Sequence, residues 1–174
     1  MKVYYRRSLR LQNYDYAQAG AYFVTLCTHN RINLFGEIAQ GEMHLSMTGQ
    51  IVVEEWQRST EIRREIELDE WVAMPNHLHG IVVIKNTDGR DPAVGAHGRA
   101  PLLHRPPRSL GSFIAGFKSS AIKRINEIRQ TPGVAVWQRN YYEHVVRDAT
   151  DLHRIREYIA SNVLRWQLDE YYRR

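Results

Sequence analysis

Apolar residues recur along this chain with two periods, one close to two and one close to 3.6, and each marks a different element. From Gly20 the run AYFVTLCTH, dense in aromatic and β-branched residues and followed by Asn30, predicts a buried strand. Short runs from Leu34 to Ala39 and from Glu42 to Leu45 meet at Gln40-Gly41, which predicts a hairpin. Ile51, Val52, Trp56 and Ile62 fall at helical spacing and predict a helix that opens at Ser46-Met47-Thr48, with Thr48 as a suitable cap. A strand pair follows, Leu68 to Met74 and His77 to Ile84, turned by Pro75-Asn76. Ser109 then caps a helix reaching about Arg129, with Ile114, Phe117, Ala121, Ile125 and Ile128 as its inward stripe. Tyr142 to Val146 reads as a last strand. A final helix runs from near Asp148 to about Leu164 on Leu152, Ile155, Ile159 and Val163, with Asp148 and Asp151 placed favourably for the helix dipole.

Three stretches lack either period. Residues 1–19 mix Arg6, Arg7 and Arg10 with tyrosines and read as a basic arm. Residues 86–108, rich in glycine, proline and arginine, read as a flexible loop. Residues 165–174 read as a short C-terminal tail. With 174 residues, the whole chain suits a single domain.

Composition narrows the possibilities only modestly. An apolar content of 43% with 25% charged residues describes an ordinary soluble protein, and nowhere do 18 apolar residues run together. Lone Cys27 excludes an internal disulfide and a cysteine zinc cage, and with no signal-peptide core the expectation is a cytoplasmic protein. The net charge of +5, supplied mostly by arginine, makes an anionic polymer a plausible partner.

The chemistry-bearing residues gather in two places. His77 and His79 flank Leu78 in a strand, so both imidazoles point to one face, spaced to converge on one divalent cation. Taken alone, a His-X-His pair is more often a polar pair on a sheet. Tyr158 and Asn162 stand four apart on the last helix and share one side of it. That pair equally suits core filling and helix capping, or a phenol nucleophile beside an amide ligand, and spacing does not decide.

Five blocks decide it by resemblance: GAYFVTLCTHNRINLFGEI, WVAMPNHLHGIVVI, LGSFIAGFKSSAIKRINEI, VWQRNYYEHVVRD and LHRIREYIASN. In this order they resemble the single-tyrosine (HUH) transposases of small bacterial insertion sequences, above all the group associated with repetitive extragenic palindromes (REP). The resemblance covers about Asn13 to Trp166. It implies an α/β fold of the α+β kind, ferredoxin-like (RRM-like), with a central antiparallel sheet and helices packed on it. It implies Tyr158 as the nucleophile, with His77, His79 and Asn162 as ligands of a divalent metal, Mg2+ or Mn2+. The implied substrate is single-stranded DNA with hairpin (palindromic) elements, cut and rejoined through a 5′-phosphotyrosine. One departure is Val163, where the family commonly has proline. Tyr141 and Tyr142 are rival nucleophiles by their closeness to His144, but the motif position favours Tyr158.

Arg6, Arg7 and Arg10 of the arm, and Lys118, Lys123 and Arg124 beside the inward stripe of the second long helix, are the residues expected to hold DNA. Because metal-binding imidazoles must be neutral, activity should fall below about pH 6.5. The competing reading is a non-cleaving binder of palindromic DNA or RNA hairpins on the same fold. Either a monomer or a homodimer is compatible, with the tyrosine serving its own or a partner's histidines.

Overall fold

The computed structural model describes residues 15–85 and 108–172. Most of the basic arm, with Arg6, Arg7 and Arg10, and nearly all of the expected loop therefore lie outside the described residues. No helix among those described is long and apolar enough to cross a membrane.

Among the described residues there are six strands and three α-helices: β1 (Gly20–Cys27), β2 (Gly36–Ala39), β3 (Glu42–Leu45), α1 (Met47–Ile62), β4 (Ile66–Met74), β5 (His77–Ile84), α2 (Leu110–Arg129), β6 (Tyr142–Val145) and α3 (Ala149–Ser161). Strands β4, β5, β1 and β6 form one sheet in that order, every neighbouring pair antiparallel. Without the β2–β3 hairpin and α3, the order βαββαβ with this strand arrangement is the ferredoxin-like fold that the resemblance implies. The hairpin turns at Gln40 and Gly41, both with positive φ, as a two-residue turn requires.

Alternation along the strands separates the two faces of the sheet. Tyr22, Val24 and Leu26 of β1 and Leu78 and Val82 of β5 join Ile51, Val52 and Trp56 of α1 and Phe113, Ile114, Phe117, Ala121 and Ile125 of α2 in one apolar core. Between them Gly80 must stay small, because an added Cβ would lie 2.8 Å from the Trp56 ring and 3.2 Å from Trp71 Cβ. The opposite face carries Phe23, Thr25 and Cys27 of β1 in register with Ile81, His79 and His77 of β5. There α3 packs Ile155 and Ile159 on Phe23 and Ile81.

Several boundaries differ from the sequence expectation. Ser46, not Thr48, caps α1 by accepting from the Gly49 amide at 3.1 Å; the Thr48 hydroxyl bonds instead to Ser46 and to the Leu34 carbonyl. Ile128, placed on the inward stripe of α2, is exposed in that helix's last turn, and Ile62, the last residue of α1, is exposed too. Helix α3 stops at Ser161 rather than near Leu164, and the chain turns in a 3-10 helix at Trp166–Leu168. That turn seats Trp166 in a buried position and brings the tail back across the histidines.

Candidate metal and nucleophile site

The site begins with the tight turn between β4 and β5. Pro75 and Asn76 are held from outside, the Phe35 amide donating to the Pro75 carbonyl and the Thr28 amide to the Asn76 carbonyl, each at 2.9 Å. Period-two alternation then puts His77 and His79 side by side, with ring centroids 4.4 Å apart. Both imidazoles are buried, at 0% and 1% exposure. His77 Nδ1 lies 2.9 Å from Asn76 Oδ1, and His79 Nδ1 lies 2.9 Å from Thr25 Oγ1. In each ring Nε2 is the atom left to face the cleft.

Helix α3 supplies the other half. Tyr158 is 41% exposed, yet its hydroxyl reaches inward to 3.2 Å from His79 Nε2 within the same chain. The ring meets Phe23 edge-on at 6.0 Å. Asn162, the buried residue after the last helical turn, brings its amide close enough to the Tyr158 phenol and the Asp169 carboxylate to favour the charged form of each. A bidentate contact from Arg156 to Asp69, at 2.9 and 2.5 Å, ties α3 to β4 beside an irregularity in the β4–β5 register.

Residues read as a plain tail complete the site. The Tyr171 ring lies 4.7 Å from the His77 ring, its carbonyl accepts from Asn76 Nδ2 at 2.8 Å, and the Arg31 guanidinium sits over its face at 4.9 Å. Asp169 Oδ2 stands 3.9 Å from His77 Nε2, too far for a hydrogen bond. His77, His79 and Asp169 each offer a ligand atom, all within 4.8 Å of one another.

Burial sets the electrostatics. It drives the His77 pKa well below that of a free imidazole, helped by His79 and Arg31, and lowers that of His79 to about 3. Both rings are therefore neutral, the form that binds a cation. In this closed arrangement both rings take up a proton only below the range of a hydrated imidazole, the range on which the acid fall expected near pH 6.5 rests. Burial also raises the Tyr158 pKa, opposed by the Asn162 hydrogen bond, so the phenol keeps its proton at neutral pH. Asp169 is raised by burial as well. Cys27, paired in register with His77, is pushed up to about 11 by burial and stays a thiol rather than a ligand thiolate.

His77 Nε2 and Asn162 Oδ1 are buried and without a hydrogen-bond partner. Such atoms cost free energy unless something satisfies them. Two neutral imidazoles and a carboxylate lying within 4.8 Å of one another form a mixed nitrogen and oxygen donor set that fits a divalent cation, with the buried Asn162 amide beside Tyr158 and Asp169.

The three cations of α2 lie elsewhere. That helix covers the face of the sheet opposite the histidines. Arg124 pairs with Glu55 at 2.8 Å and Glu54 at 2.6 Å, and Lys118 donates to the carbonyls of Gln138 and Asn140. Lys123 is exposed on that far side.

A Haemophilus influenzae protein described only as uncharacterized is 37% identical over 176 residues, spanning 98% of this chain and 94% of that one. This chain belongs to the same family. No family model matches it. Among solved structures, a REP-associated tyrosine transposase bound to a REP hairpin superposes with a TM-score of 0.60 at 17% identity, covering 90% of this chain and 74% of that one. The chain shares that protein's fold, as the five sequence blocks led one to expect. A transposase candidate from Deinococcus radiodurans gives a TM-score of 0.48 at 14% identity, over 87% and 95% of the two chains.

Asn76, Thr25, Asp169 and Tyr171 are absent from the sequence expectation. Asn76 and Thr25 were legible only as a turn former and a strand residue. Asp169 and Tyr171 carry no local signal, since they meet His77 across some ninety residues of chain.

Proposed function

We propose that this protein is a metal-dependent single-stranded DNA strand transferase of the HUH single-tyrosine type, acting next to hairpins. Tyr158 is the nucleophile, and His77, His79 and Asn162 hold Mg2+ or Mn2+, with Asp169 within reach as a further oxygen donor. The observation carrying this reading is the meeting, in one chain, of the Tyr158 hydroxyl with His79 Nε2 at 3.2 Å, beside the unpartnered His77 Nε2 and Asn162 Oδ1. A tyrosine that only filled core would have no reason to meet three metal-type donors there.

When bound, the cation would supply charge neutralisation at the scissile phosphate. The Tyr158 oxygen attacks phosphorus, the bond to the 3′ oxygen breaks, and the products are a 5′-phosphotyrosine and a 3′ hydroxyl. Phosphodiester energy is retained in that ester, so rejoining needs no nucleotide cofactor. The phenolic proton leaves to water, which reaches the partly exposed Tyr158, and the departing 3′ oxygen takes a proton from water in turn. Asn162 favours this loss, since its hydrogen bond stabilises the phenolate. Both imidazoles are buried, and Asp169 and Tyr171 form a seal over His77, so a phosphate reaches that ring once this tail moves aside.

That same seal favours a second reading, a hairpin binder that does not cut. One experiment separates the two: a labelled hairpin oligonucleotide incubated with Mn2+ and resolved on a denaturing gel. The strand transferase gives a covalent adduct that Tyr158→Phe abolishes. A mobility shift under native conditions with no adduct under denaturing ones leaves only the binder.

A further inference from the structure

The two histidines are held differently, and the difference lies in what holds their Nδ1 atoms. Asn76 is fully buried, and its Nδ2 donates to two backbone carbonyls, that of Arg31 at 3.2 Å and that of Tyr171 at 2.8 Å. Reversing the amide would set its oxygen against both carbonyl oxygens, so Oδ1 must point to His77 Nδ1, 2.9 Å away. An amide oxygen only accepts. His77 Nδ1 must therefore carry the proton, which leaves the lone pair on Nε2, the buried atom without a hydrogen-bond partner. Arg31 presents its carbonyl from a turn in which Asn30 and Arg31 both take left-handed backbone angles, a conformation that costs free energy in non-glycine residues. His79 has no such lock. Its Nδ1 partner is the Thr25 hydroxyl, which donates or accepts, and its Nε2 partner is the Tyr158 hydroxyl, which does the same.

We propose that Asn76 is the positioning residue that presets His77 as a ligand, fixing the Nδ1–H tautomer so that the Nε2 lone pair faces the site before any cation arrives. The ligand role rests on the metal reading of His77 given above; the tautomer itself does not. A neutral histidine in water favours the other tautomer, so the lock removes a rearrangement that metal binding would otherwise require. His79, by contrast, exchanges tautomers with its two hydroxyl partners and can give up its contact with Tyr158 when a cation takes Nε2.

The test is a long-range nitrogen–proton NMR spectrum of the metal-free full chain at pH 7, with histidine ring nitrogens labelled. His77 is expected in the Nδ1–H form. Asn76→Ala should shift it toward Nε2–H and weaken Mn2+ binding about 10- to 100-fold. In Asn76→Asp the carboxylate still accepts from Nδ1–H, so the native tautomer should persist although both bonds to carbonyls are lost. A purely structural role for Asn76 would lower the melting temperature of both variants without dividing them by tautomer. Finding Nε2–H at His77 in the unmutated protein overturns the proposal even if neither variant folds, as does an unchanged tautomer in folded Asn76→Ala. Equal Mn2+ affinity of the unmutated protein and Asn76→Ala overturns the ligand role. If neither binds Mn2+, the metal reading falls, and the ligand role falls with it.

Discussion

The two faces of the central sheet divide stability from chemistry. Under α1 and α2, aromatic and aliphatic side chains from Tyr22 to Trp137 form a continuous dry core, and Trp56 fills it so tightly that Gly80 has no room for a methyl group. Under α3 the apolar cluster shrinks to Phe23, Ile81, Ile155 and Ile159 with a few partly buried neighbours, and the rest of the face is given to imidazoles, a phenol, an amide and a carboxylate. Burying those polar groups, two atoms of them without partners, works against folding.

The strongest contrast comes from one substitution on each face. Trp56→Ala should cost about 3–5 kcal/mol of stability by leaving a large void in the core, yet leave adduct formation per folded molecule unchanged. Tyr158→Phe should do the reverse, abolishing the adduct at little cost in stability. Denaturant melts and single-turnover adduct assays on both proteins check this. A Trp56→Ala protein that is folded but inactive would show that the faces are coupled.

Acid should act through the histidine face next. His77 and His79 have folded-state pKa values depressed by burial, that of His79 to about 3. Between about pH 6.5 and pH 3 the unfolded chain therefore binds protons that the folded one refuses, and stability falls as pH falls through that window. Replacing both histidines with glutamine should flatten the decline measured by thermal melts. Parallel curves for the two proteins would refute the link.

A smaller effect belongs to the Arg156–Asp69 pair. Both partners are partly exposed, so Arg156→Ala should change stability by no more than about 1 kcal/mol. Because Arg156 anchors the helix two residues before Tyr158, the proposed nucleophile, the adduct rate should fall several-fold all the same. A rate that follows the melting temperature, or does not change, would contradict an anchoring role.

The smallest effect is expected at Lys123. It lies on the packed face, away from the histidines, so Lys123→Ala should leave oligonucleotide affinity within about twofold and the salt dependence unaltered. A salt slope reduced by about one unit would place a phosphate contact behind the sheet.

What the sequence made legible follows the same division. Strand β1, the His77–Ile84 strand and the Ser109 cap of α2 could be read because each is written in neighbouring residues: alternation, β-branching, a hydroxyl before a helix. The histidine pair was legible for the same reason, since period two alone places His77 beside His79. Thr48 misled because two capping hydroxyls stand two residues apart and only the path of the chain chooses Ser46. The engagement of Arg124 with Glu54 and Glu55 is a contact between helices that no single helix reveals. Asp169 and Tyr171 were out of reach because WQLDEYYRR has no periodicity; its place is set by Trp166 finding a buried seat and by Asn76 capturing the Tyr171 carbonyl.

The central claim is that the phenol of Tyr158 takes the 5′ phosphate of a cut single strand. Mass spectrometry of the protein after reaction with a hairpin oligonucleotide and Mn2+, followed by digestion, tests it most directly. The account predicts a nucleotide phosphate attached to the peptide that contains Tyr158 and to no other. Attachment at Tyr141 or Tyr142, or no attachment while the oligonucleotide is nonetheless cleaved, would contradict it.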